Sequence, residues 1–294
     1  MTDDPRWPRA AHWLAAGSVD PVLAVLGVPA YRTSISPTGA HATPAAVRAA
    51  LARYSTYATS HDVDLAKLAV RDAGDVDEPD GPEGEARVRA AVDALADTPV
   101  LIAIGGDNSI TYSVMGARFG RDLAGAGLVT LDAHHDLRDG VSNGSPVRRL
   151  IEAGLDGRRV VQLGIADFSN SPEYAARARD LGITVITRGA LRTRPIDDAM
   201  AEALELAASG STGVHVDIDV DVCDRSVVPG CPAAAPGGIS ADELRQAAFA
   251  AGRDPRVRSI DITEVDATAD APDGRTVRLA ALCLLEAATG VLLR

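Results

Sequence analysis

The stretch Leu131-Asp132-Ala133-His134-His135-Asp136 decides how the rest of the chain is interpreted. It follows the run Ala126-Gly127-Leu128-Val129-Thr130, and a second acidic stretch, Asp217-Ile218-Asp219-Val220-Asp221, follows Gly213-Val214-His215-Val216 in the same way. Mainly apolar, partly β-branched runs of this length are typical of buried strands. We therefore predict that both acidic stretches lie at the carboxyl ends of buried strands.

The functional side chains of the two stretches are predicted to converge. Side chains alternate between the faces of an extended chain, which places Asp132, His134 and Asp136 on one side. Asp219 and Asp221 share a face for the same reason. Buried carboxylates this close repel one another or take up protons unless a cation compensates their charge. The sequence therefore predicts a metal site formed by these five residues.

Composition indicates a large α/β domain. The chain has 294 residues and is 46% hydrophobic but only 3% aromatic, as expected for aliphatic strands of a parallel sheet covered by helices. We find no linker and no internal repeat, and we predict a single domain over residues 1–294. The net charge of −12 argues against binding to nucleic acid or anionic membranes, which requires clustered lysine and arginine.

Apolar runs predict eight strands, most of them separated by helices. The predicted strands are 22–28, 65–70, 99–104, 126–132, 160–165, 183–186, 214–219 and 257–265. Helices are predicted over 43–54, 86–96 and 147–153 and from about Ser109, with loops at 75–85, 137–146 and 231–238. This alternation predicts a doubly wound parallel sheet, whose ligands bind at the carboxyl ends of its strands. Both acidic stretches are expected at that edge.

The remaining sequence signals predict the cellular compartment. Cys223, Cys231 and Cys283 lack a CxxC spacing and are too few for a disulfide framework, which favours a reducing compartment. The N-terminal residues MTDDPRWPRA do not resemble a signal peptide, and no apolar stretch reaches the roughly 18 residues of a membrane-spanning helix. We expect a soluble, cytoplasmic protein.

Four blocks of residues carry a family resemblance. They are Gly105-Gly106-Asp107-Asn108-Ser109, Asp132 to Asp136, Asp219-Val220-Asp221 followed by Asp224, and Asp261-Ile262-Thr263-Glu264-Val265. In order and spacing they resemble the signatures of the ureohydrolase superfamily, which includes arginase, agmatinase and formimidoylglutamase. Segments 142–149 and 163–171 are most similar to the bacterial formimidoylglutamase branch. The resemblance implies an arginase-like, three-layer α/β/α fold with an eight-stranded parallel sheet.

The resemblance also implies a metal centre. Asp132 and Asp219 would bridge two metal ions, usually Mn²⁺, while Asp136 completes one coordination shell and His134 and Asp221 complete the other. Hard carboxylate ligands with one imidazole suit Mn²⁺. Paired ions of this kind can generate hydroxide at neutral pH and hold both sides of the attacked centre.

Two positions depart from the superfamily pattern. Asn108 stands where most members have a metal-binding histidine, and Asn143 stands where many have a histidine that moves protons. An amide oxygen is a weaker ligand than imidazole, so we expect Asn108 to leave the first metal position labile. Because Asn143 cannot carry protons, proton transfer would pass through Asp136, water or the substrate. Asn143 remains a candidate catalytic and substrate-binding residue.

Each candidate site residue, taken alone, also has a purely structural interpretation. Each acidic residue taken alone could be solvated or cap a helix, and Asn108 could be the N-cap of the helix that follows it. His135 and His215 are predicted to be structural. Asp217 is an alternative metal ligand, but the downstream register favours Asp219 and Asp221. Glu264, which by resemblance binds the cationic nitrogen group of the substrate and is a candidate catalytic residue, could merely pair with an arginine.

The tail of the substrate distinguishes the members of the superfamily. Arg148 and Arg149 follow the predicted pocket loop in an otherwise acidic chain, and arginine binds carboxylates. They favour a small acidic amidine, N-formimidoyl-L-glutamate, whose hydrolysis to L-glutamate and formamide is a late step of histidine breakdown. The alternatives are a ureohydrolase acting on a guanidino acid or agmatine, a one-metal enzyme, and a catalytically silent binding or assembly subunit. Family analogy also implies a homo-oligomer.

Overall fold

The computed structural model describes residues 4, 6–210 and 212–294. Residues 1–3 and 5, part of the stretch used for the signal-peptide prediction, lie outside the described residues. The strands are β1 Leu23–Val28, β2 Tyr57–Ala58, β3 Val63–Asp64, β4 Val70–Asp75, β5 Val100–Gly105, β6 Ala126–Leu131, β7 Val160–Ile165, β8 Thr184–Thr187, β9 Gly213–Asp219 and β10 Val257–Thr263. The helices are α1 Ala10–Ala16, α2 Thr43–Ala50, α3 Gly81–Asp93, α4 Ile110–Phe119, α5 Pro146–Glu152, α6 Pro172–Asp180, α7 Ile196–Ala207, α8 Ala241–Arg253 and α9 Arg275–Leu292.

Eight of these strands form one parallel sheet. Its order is β4-β1-β5-β10-β9-β6-β7-β8, and every neighbouring pair is parallel. Strands β2 and β3 form a separate antiparallel pair. The predicted eight-stranded parallel sheet is thus confirmed. All the carboxyl ends of its strands lie at one edge, and β5, β10, β9 and β6 occupy its centre.

Helices cover both faces of the sheet. Side chains of α1, α2, α7, α8 and α9 belong to one hydrophobic cluster, and those of α3, α4, α5 and α6 belong to two others on the opposite face. Strand β5 shows the alternation, since Ile102 and Ile104 join the first cluster while Leu101 and Ala103 join the second. The fold therefore has three layers. No helix of the described residues is both long enough and apolar enough to span a bilayer.

Two element predictions near the sheet edge are wrong. The predicted strand 65–70 is a 3₁₀ turn followed by an extended residue, and the edge strand β4 begins only at Val70. Only Val70 of β4 is fully buried, so its polar sequence lacks a strand signal, whereas Leu65 and Leu68 pack into the core from the turn. The predicted loop 75–85 contains the first turn of α3, because its glycine and proline mark a helix start.

The turn after β5 joins three strand ends. A Cβ atom on Gly106 would lie 1.9 Å from the carbonyl oxygen of Ala30. Only glycine therefore fits at this position of the turn. The backbone N–H of Gly106 donates to Val28, and its carbonyl oxygen accepts from the N–H of Glu264 at 2.9 Å. The ends of β1, β5 and β10 are thereby held together, which brings Asn108 close to Glu264.

Helices α8 and α9 pack closely enough to yield a stability test. A Cβ atom on Gly290 would lie 2.5 Å from the backbone nitrogen of Arg253 and the carbonyl oxygen of Phe249. Gly290→Ala should therefore lower the free energy of unfolding by about 1–2 kcal/mol, measured by urea denaturation, because the helices must move apart. Gly116→Ala in α4 is the matched control: nothing lies within 4 Å of its Cβ position, and it should stabilise by about 0.5–1 kcal/mol. Equal effects of the two substitutions would contradict this account of the packing.

Candidate metal centre and active site

A cavity of about 450 Å³ opens at the carboxyl edge of the sheet. Its walls come from the loops after β1, β6, β7 and β9 and from the segment after β10. The lining includes Ser34, His134, Asp136, Arg138, Asn143, Asp219, Asp221 and Glu264. Pro232 and Ala233 also line it, so the predicted loop 231–238 is beside the site. The sheet edge that was predicted to bind ligands is thus the edge that carries this cavity.

Three predicted metal ligands meet at the base of the cavity. The Nδ1 atom of His134 lies 2.8 Å from Oδ2 of Asp221 and 3.4 Å from Oδ1 of Asp132. The potential ligand atoms of these three residues all lie within 4.8 Å of one another. Asp132 and Asp221 are almost completely buried. A divalent cation fits this set of two carboxylates and one imidazole.

The end of β9 supplies the other carboxylates. Asp219 accepts a hydrogen bond from the N–H of Asp221 at 2.8 Å, and Asp221 accepts one from the N–H of Ala133 at 2.9 Å. These bonds tie the ends of β6 and β9 to each other, because one oxygen of Asp221 contacts the chain that follows β6. The other oxygen of Asp221, Oδ2, is the one that faces His134, and both Asp219 and Asp221 line the cavity.

Electrostatics at the base of the cavity favour a cation. Burial and the neighbouring carboxylates raise the pKa of Asp132 and of Asp219 well above the usual value. Burial also opposes the charged form of His134, but Asp221 and Asp132 outweigh it and raise its pKa to about 12. Oδ2 of Asp132 is buried and has no hydrogen-bond partner among the described residues. An unpartnered buried carboxylate oxygen is costly, and a metal ion would compensate it.

Asn108 contacts Asp136 through its amide nitrogen. Its Nδ2 donates to Oδ2 of Asp136 at 2.6 Å, while its Oδ1 accepts from the hydroxyls of Thr111 at 2.9 Å and Thr263 at 3.0 Å. The N-cap residue of α4 is Ser109, so the capping interpretation of Asn108 is not what the structure shows. Burial raises the pKa of Asp136 to about 7, although the charge of His134 and the hydrogen bond from Asn108 lower it.

The backbone turns sharply at two of these residues. Asp136 has a φ of 53° and Glu264 a φ of 63°, both in the left-handed region that non-glycine residues rarely adopt. The residues thus leave the strand direction and project toward the cavity that they line. Such conformations persist only where surrounding contacts hold them, and they cluster at functional sites.

Glu264 is held by two amide donors. Its Oε1 accepts from the backbone N–H of Asn108 and from Nδ2 of Asn143, both at 2.8 Å. Its Oε2 has no hydrogen-bond partner among the described residues, and the residue lines the cavity. Burial and nearby Asp107 raise the pKa of Glu264 to about 8. Among the described residues, no arginine forms an ion pair with Glu264. The competing interpretation, that Glu264 merely pairs with an arginine, is therefore wrong.

Arg148 and Arg149 are not brought to the cavity. The guanidinium of Arg148 donates to the carbonyl oxygens of Arg138 and Gly140 and pairs with Glu152. These contacts close the loop after β6 from its outer side. Arg148 is the third residue of α5, where its side chain supports the loop and does not line the cavity. The sequence-based placement of Arg148 at the substrate is therefore not supported.

Arg149 is engaged on the far side of the same helix. Its Nη1 lies 2.8 Å from Glu85, and its guanidinium stacks 3.7 Å from the ring centroid of Tyr112. Arg138 instead lines the cavity, and none of the described carboxylates lies within 4.0 Å of its guanidinium nitrogens. Sequence reasoning missed Arg138, which lies in the loop after β6, where the chain is no longer extended and no periodic pattern predicts the direction of a side chain.

The other predicted residues take supporting positions. His135 binds Gln162 through Nδ1 at 2.7 Å, and His215 is buried between Ser259 and Asp261, so both histidines have the predicted structural roles. Asp217 is fully buried beside Asp261 and does not line the cavity. Asp224, which follows the second acidic stretch, accepts hydrogen bonds from Ser226 and Gly237.

Comparison with known proteins identifies relatives of this arrangement. Residues 22–290 match the Arginase family. The chain is 37% identical over 256 residues to formimidoylglutamase of Halalkalibacterium halodurans, which covers 84% of this chain and 80% of that protein. It is 36% identical over 278 residues to formimidoylglutamase of Bacillus subtilis, which covers 91% of this chain and 86% of that protein.

Solved structures agree with the sequence relatives. The crystal structure of Bacillus subtilis formimidoylglutamase superimposes with a TM-score of 0.92 at 33% identity, over 100% of this chain and 94% of that one. The crystal structure of Trypanosoma cruzi formiminoglutamase with Mn²⁺ superimposes with a TM-score of 0.89 at 26% identity. The superposition covers 98% of this chain and 99% of that one. Since the family match and both relatives span most of the sequence, the chain belongs to the arginase family.

Proposed function

We propose that this protein is a formimidoylglutamase, which hydrolyses N-formimidoyl-L-glutamate to L-glutamate and formamide. One observation carries the proposal: the same cavity presents an unpaired oxygen of Glu264 and the guanidinium of Arg138. A carboxylate suits the cationic amidine group, and a guanidinium suits the carboxylates of the glutamate tail. The formimidoylglutamases among the relatives support this choice of substrate.

Mn²⁺ fits the residues at the base of the cavity. Asp132, His134, Asp219 and Asp221 would hold one ion, and Asp132, Asp136 and Asp219 would contribute to a second. The donors are hard oxygens with one imidazole, as Mn²⁺ prefers. Ions bound there would lower the pKa of water and supply the nucleophile that attacks the amidine carbon.

The ion position beside Asn108 and Asp136 is expected to be the weaker of the two. Asn108 points its amide nitrogen toward Asp136, and its oxygen already accepts two hydroxyl donors. To act as a ligand, Asn108 would have to rotate its amide and give up these contacts. We therefore infer that the position shared by Asn108 and Asp136 fills at higher Mn²⁺ concentration than the position beside His134.

The protein groups in the cavity have separate tasks in the proposed reaction. Glu264 binds the NH₂ group of the amidine and keeps the attacked carbon in place, since Oε1 is already fixed by two donors. Asn143 cannot supply a proton to the leaving amine. Asp136 is a carboxylate that lines the cavity, so it can accept a proton and pass it to the leaving amine, and we assign proton transfer to it.

A second candidate function is hydrolysis of a guanidino acid with release of urea. Arg138 favours it as well, because such a substrate also ends in a carboxylate. Guanidinopropionase of Pseudomonas aeruginosa is 31% identical over 201 residues, which cover 63% of this chain and 60% of that protein. Agmatine is disfavoured, since its distal cation would meet the Arg138 guanidinium. A cytoplasmic homo-oligomer acting in histidine breakdown remains our proposal from the family resemblance.

The direct test is an assay of formamide release by the Mn²⁺-loaded protein. N-formimidoyl-L-glutamate should be hydrolysed with a higher kcat/KM than 4-guanidinobutyrate, arginine or agmatine. Arg138→Met should lower kcat/KM for this substrate about 10- to 100-fold, mainly through KM, because a charged hydrogen-bonding partner is lost.

Arg149→Met is the matched control for that assay. Its guanidinium is engaged by Glu85 and Tyr112, so KM should stay within about threefold of the original value. A large rise in KM for Arg149→Met with none for Arg138→Met would contradict the placement of the carboxylate site. Urea release from a guanidino acid in preference to formamide release would move the assignment to the second candidate.

Mn²⁺ binding to the metal-free protein should strengthen from pH 6 to pH 8. Asp136 has a pKa of about 7 in the metal-free site, so at pH 6 a proton must leave before the carboxylate can act as a ligand. Ionisation of Asp136 alone accounts for about a tenfold rise in affinity over this interval. Because the pKa of His134 is raised to about 12, its proton must also leave on binding, so we expect a rise of more than tenfold. Isothermal titration calorimetry in buffers of different ionisation enthalpy would measure both affinity and proton release. Equal affinity at the two pH values would contradict this.

A further inference from the structure

The two groups proposed to recognise the substrate lie on separate elements. Glu264 follows β10, and Arg138 lies in the loop after β6. Neither residue belongs to a strand or helix, so the sheet alone does not fix the distance between their charged groups. Selection of one substrate length requires that this distance be constant.

Asn143 fixes the group at the amidine end. Its Nδ2 donates to Oε1 of Glu264 at 2.8 Å, and its Oδ1 accepts from the N–H of Ile35 at 3.0 Å. Its own N–H donates to the carbonyl oxygen of Thr33 at 3.3 Å. The side chain thus uses its donor and its acceptor at once and joins the loop after β6, the segment after β1 and Glu264. Asn143 therefore holds Glu264 in place relative to both segments.

Gly144 positions the group at the carboxylate end. A Cβ atom on Gly144 would lie 2.8 Å from Cδ and 3.3 Å from Nε of Arg138, and 3.1 Å from Cδ1 of Ile35. The Arg138 side chain therefore lies directly across the backbone of Gly144. The backbone N–H of Arg138 also donates to the carbonyl oxygen of Gly144 at 3.0 Å. Gly144 does not have a positive φ, so a side chain at this position would not strain the backbone but would displace the side chains of Arg138 and Ile35.

The segment on which Asn143 rests is itself fixed at both ends. The hydroxyl of Ser34 donates to Asp107 at 2.6 Å, and the N–H of Gly39 donates to Asp266 at 2.7 Å. Asp107 and Asp266 are buried. Ile35, which contacts both Asn143 and the Cβ position of Gly144, lies between these two anchors. The frame beneath the two recognition groups is therefore held at several points.

We propose that the consecutive residues Asn143 and Gly144 are positioning residues that set the separation between Glu264 and Arg138, and so select the length of the substrate. Asn143 sets the amidine end, and Gly144 sets the carboxylate end. This inference rests on the proposed function, because it takes Glu264 and Arg138 as the two recognition groups. It gives the asparagine at position 143 a role other than proton transfer.

Two substrates distinguish the role of Asn143 at the amidine end from that of Gly144 at the carboxylate end. We would measure kcat/KM for N-formimidoyl-L-glutamate and for N-methylformamidine, which has the amidine but no carboxylate. Gly144→Ala displaces Arg138 and should lower the ratio of the two values about tenfold or more, through KM for the full substrate. Asn143→Leu loosens Glu264 and should lower kcat/KM for both substrates, leaving their ratio within about threefold.

Controls separate positioning from a general loss of structure. Gly116→Ala has open space around its Cβ position and should change neither value. Thermal unfolding would show whether each variant folds; if Asn143→Leu does not, Asn143→Asp keeps the acceptor for Ile35 and removes the donor to Glu264. An unchanged ratio in Gly144→Ala, or a ratio that falls in the Asn143 variant as in Gly144→Ala, would overturn the proposal.

The test also distinguishes this inference from the proposed function. If the original protein releases urea from a guanidino acid and no formamide, the proposed substrate is wrong, but the same ratio can be measured with 4-guanidinobutyrate and methylguanidine. The roles of Asn143 and Gly144 are then supported if Gly144→Ala alone lowers that ratio. They are rejected if both variants change it alike.

Discussion

The crowding of buried carboxylates at one edge of the sheet is the constraint on which the rest of the structure depends. Asp132 and Asp219 end neighbouring strands, and Asp221 and Asp136 follow within a few residues. Burial alone would hold such groups protonated, and their mutual repulsion adds to that effect. His134 offsets part of the charge, but Oδ2 of Asp132 still has no partner among the described residues. A site built in this way is suited to divalent ions, and the parallel sheet supplies the rigid edge that it needs.

Amides occupy two positions where many relatives of the superfamily are expected to have imidazoles. In this chain Asn108 and Asn143 are connectors: the backbone N–H of Asn108 and the side chain of Asn143 both donate to Glu264, and the side chain of Asn108 also binds Asp136. Each amide offers a donor and an acceptor at fixed geometry without a charge. The consequence is a cavity in which Glu264 and Asp136 are oriented by neutral groups. We propose that Arg138, which lines the same cavity, binds the acidic tail of the substrate.

Much of this architecture could be predicted from the sequence. The apolar runs before Asp132 and Asp219 identified β6 and β9, and the period of two placed the ligand atoms of Asp132 and His134 together. The failures have physical causes. Strand β4 lies at the edge of the sheet and is mostly polar, so it lacks the apolar signal of a buried strand. Arg148 and Arg149 were assigned to the substrate by proximity in sequence, but a helix directs side chains around its axis, and only contacts could show that Arg138 faces the cavity.

Anomalous diffraction from crystals soaked in Mn²⁺ tests the central claim most directly, because it locates the ions without reference to activity. We expect a strong peak among Asp132, His134, Asp219 and Asp221, and a weaker one near Asp136 that grows with Mn²⁺ concentration. Crystals that show no peak at this edge of the sheet at saturating Mn²⁺, with the carboxylates remaining protonated and hydrogen-bonded to one another, would contradict it.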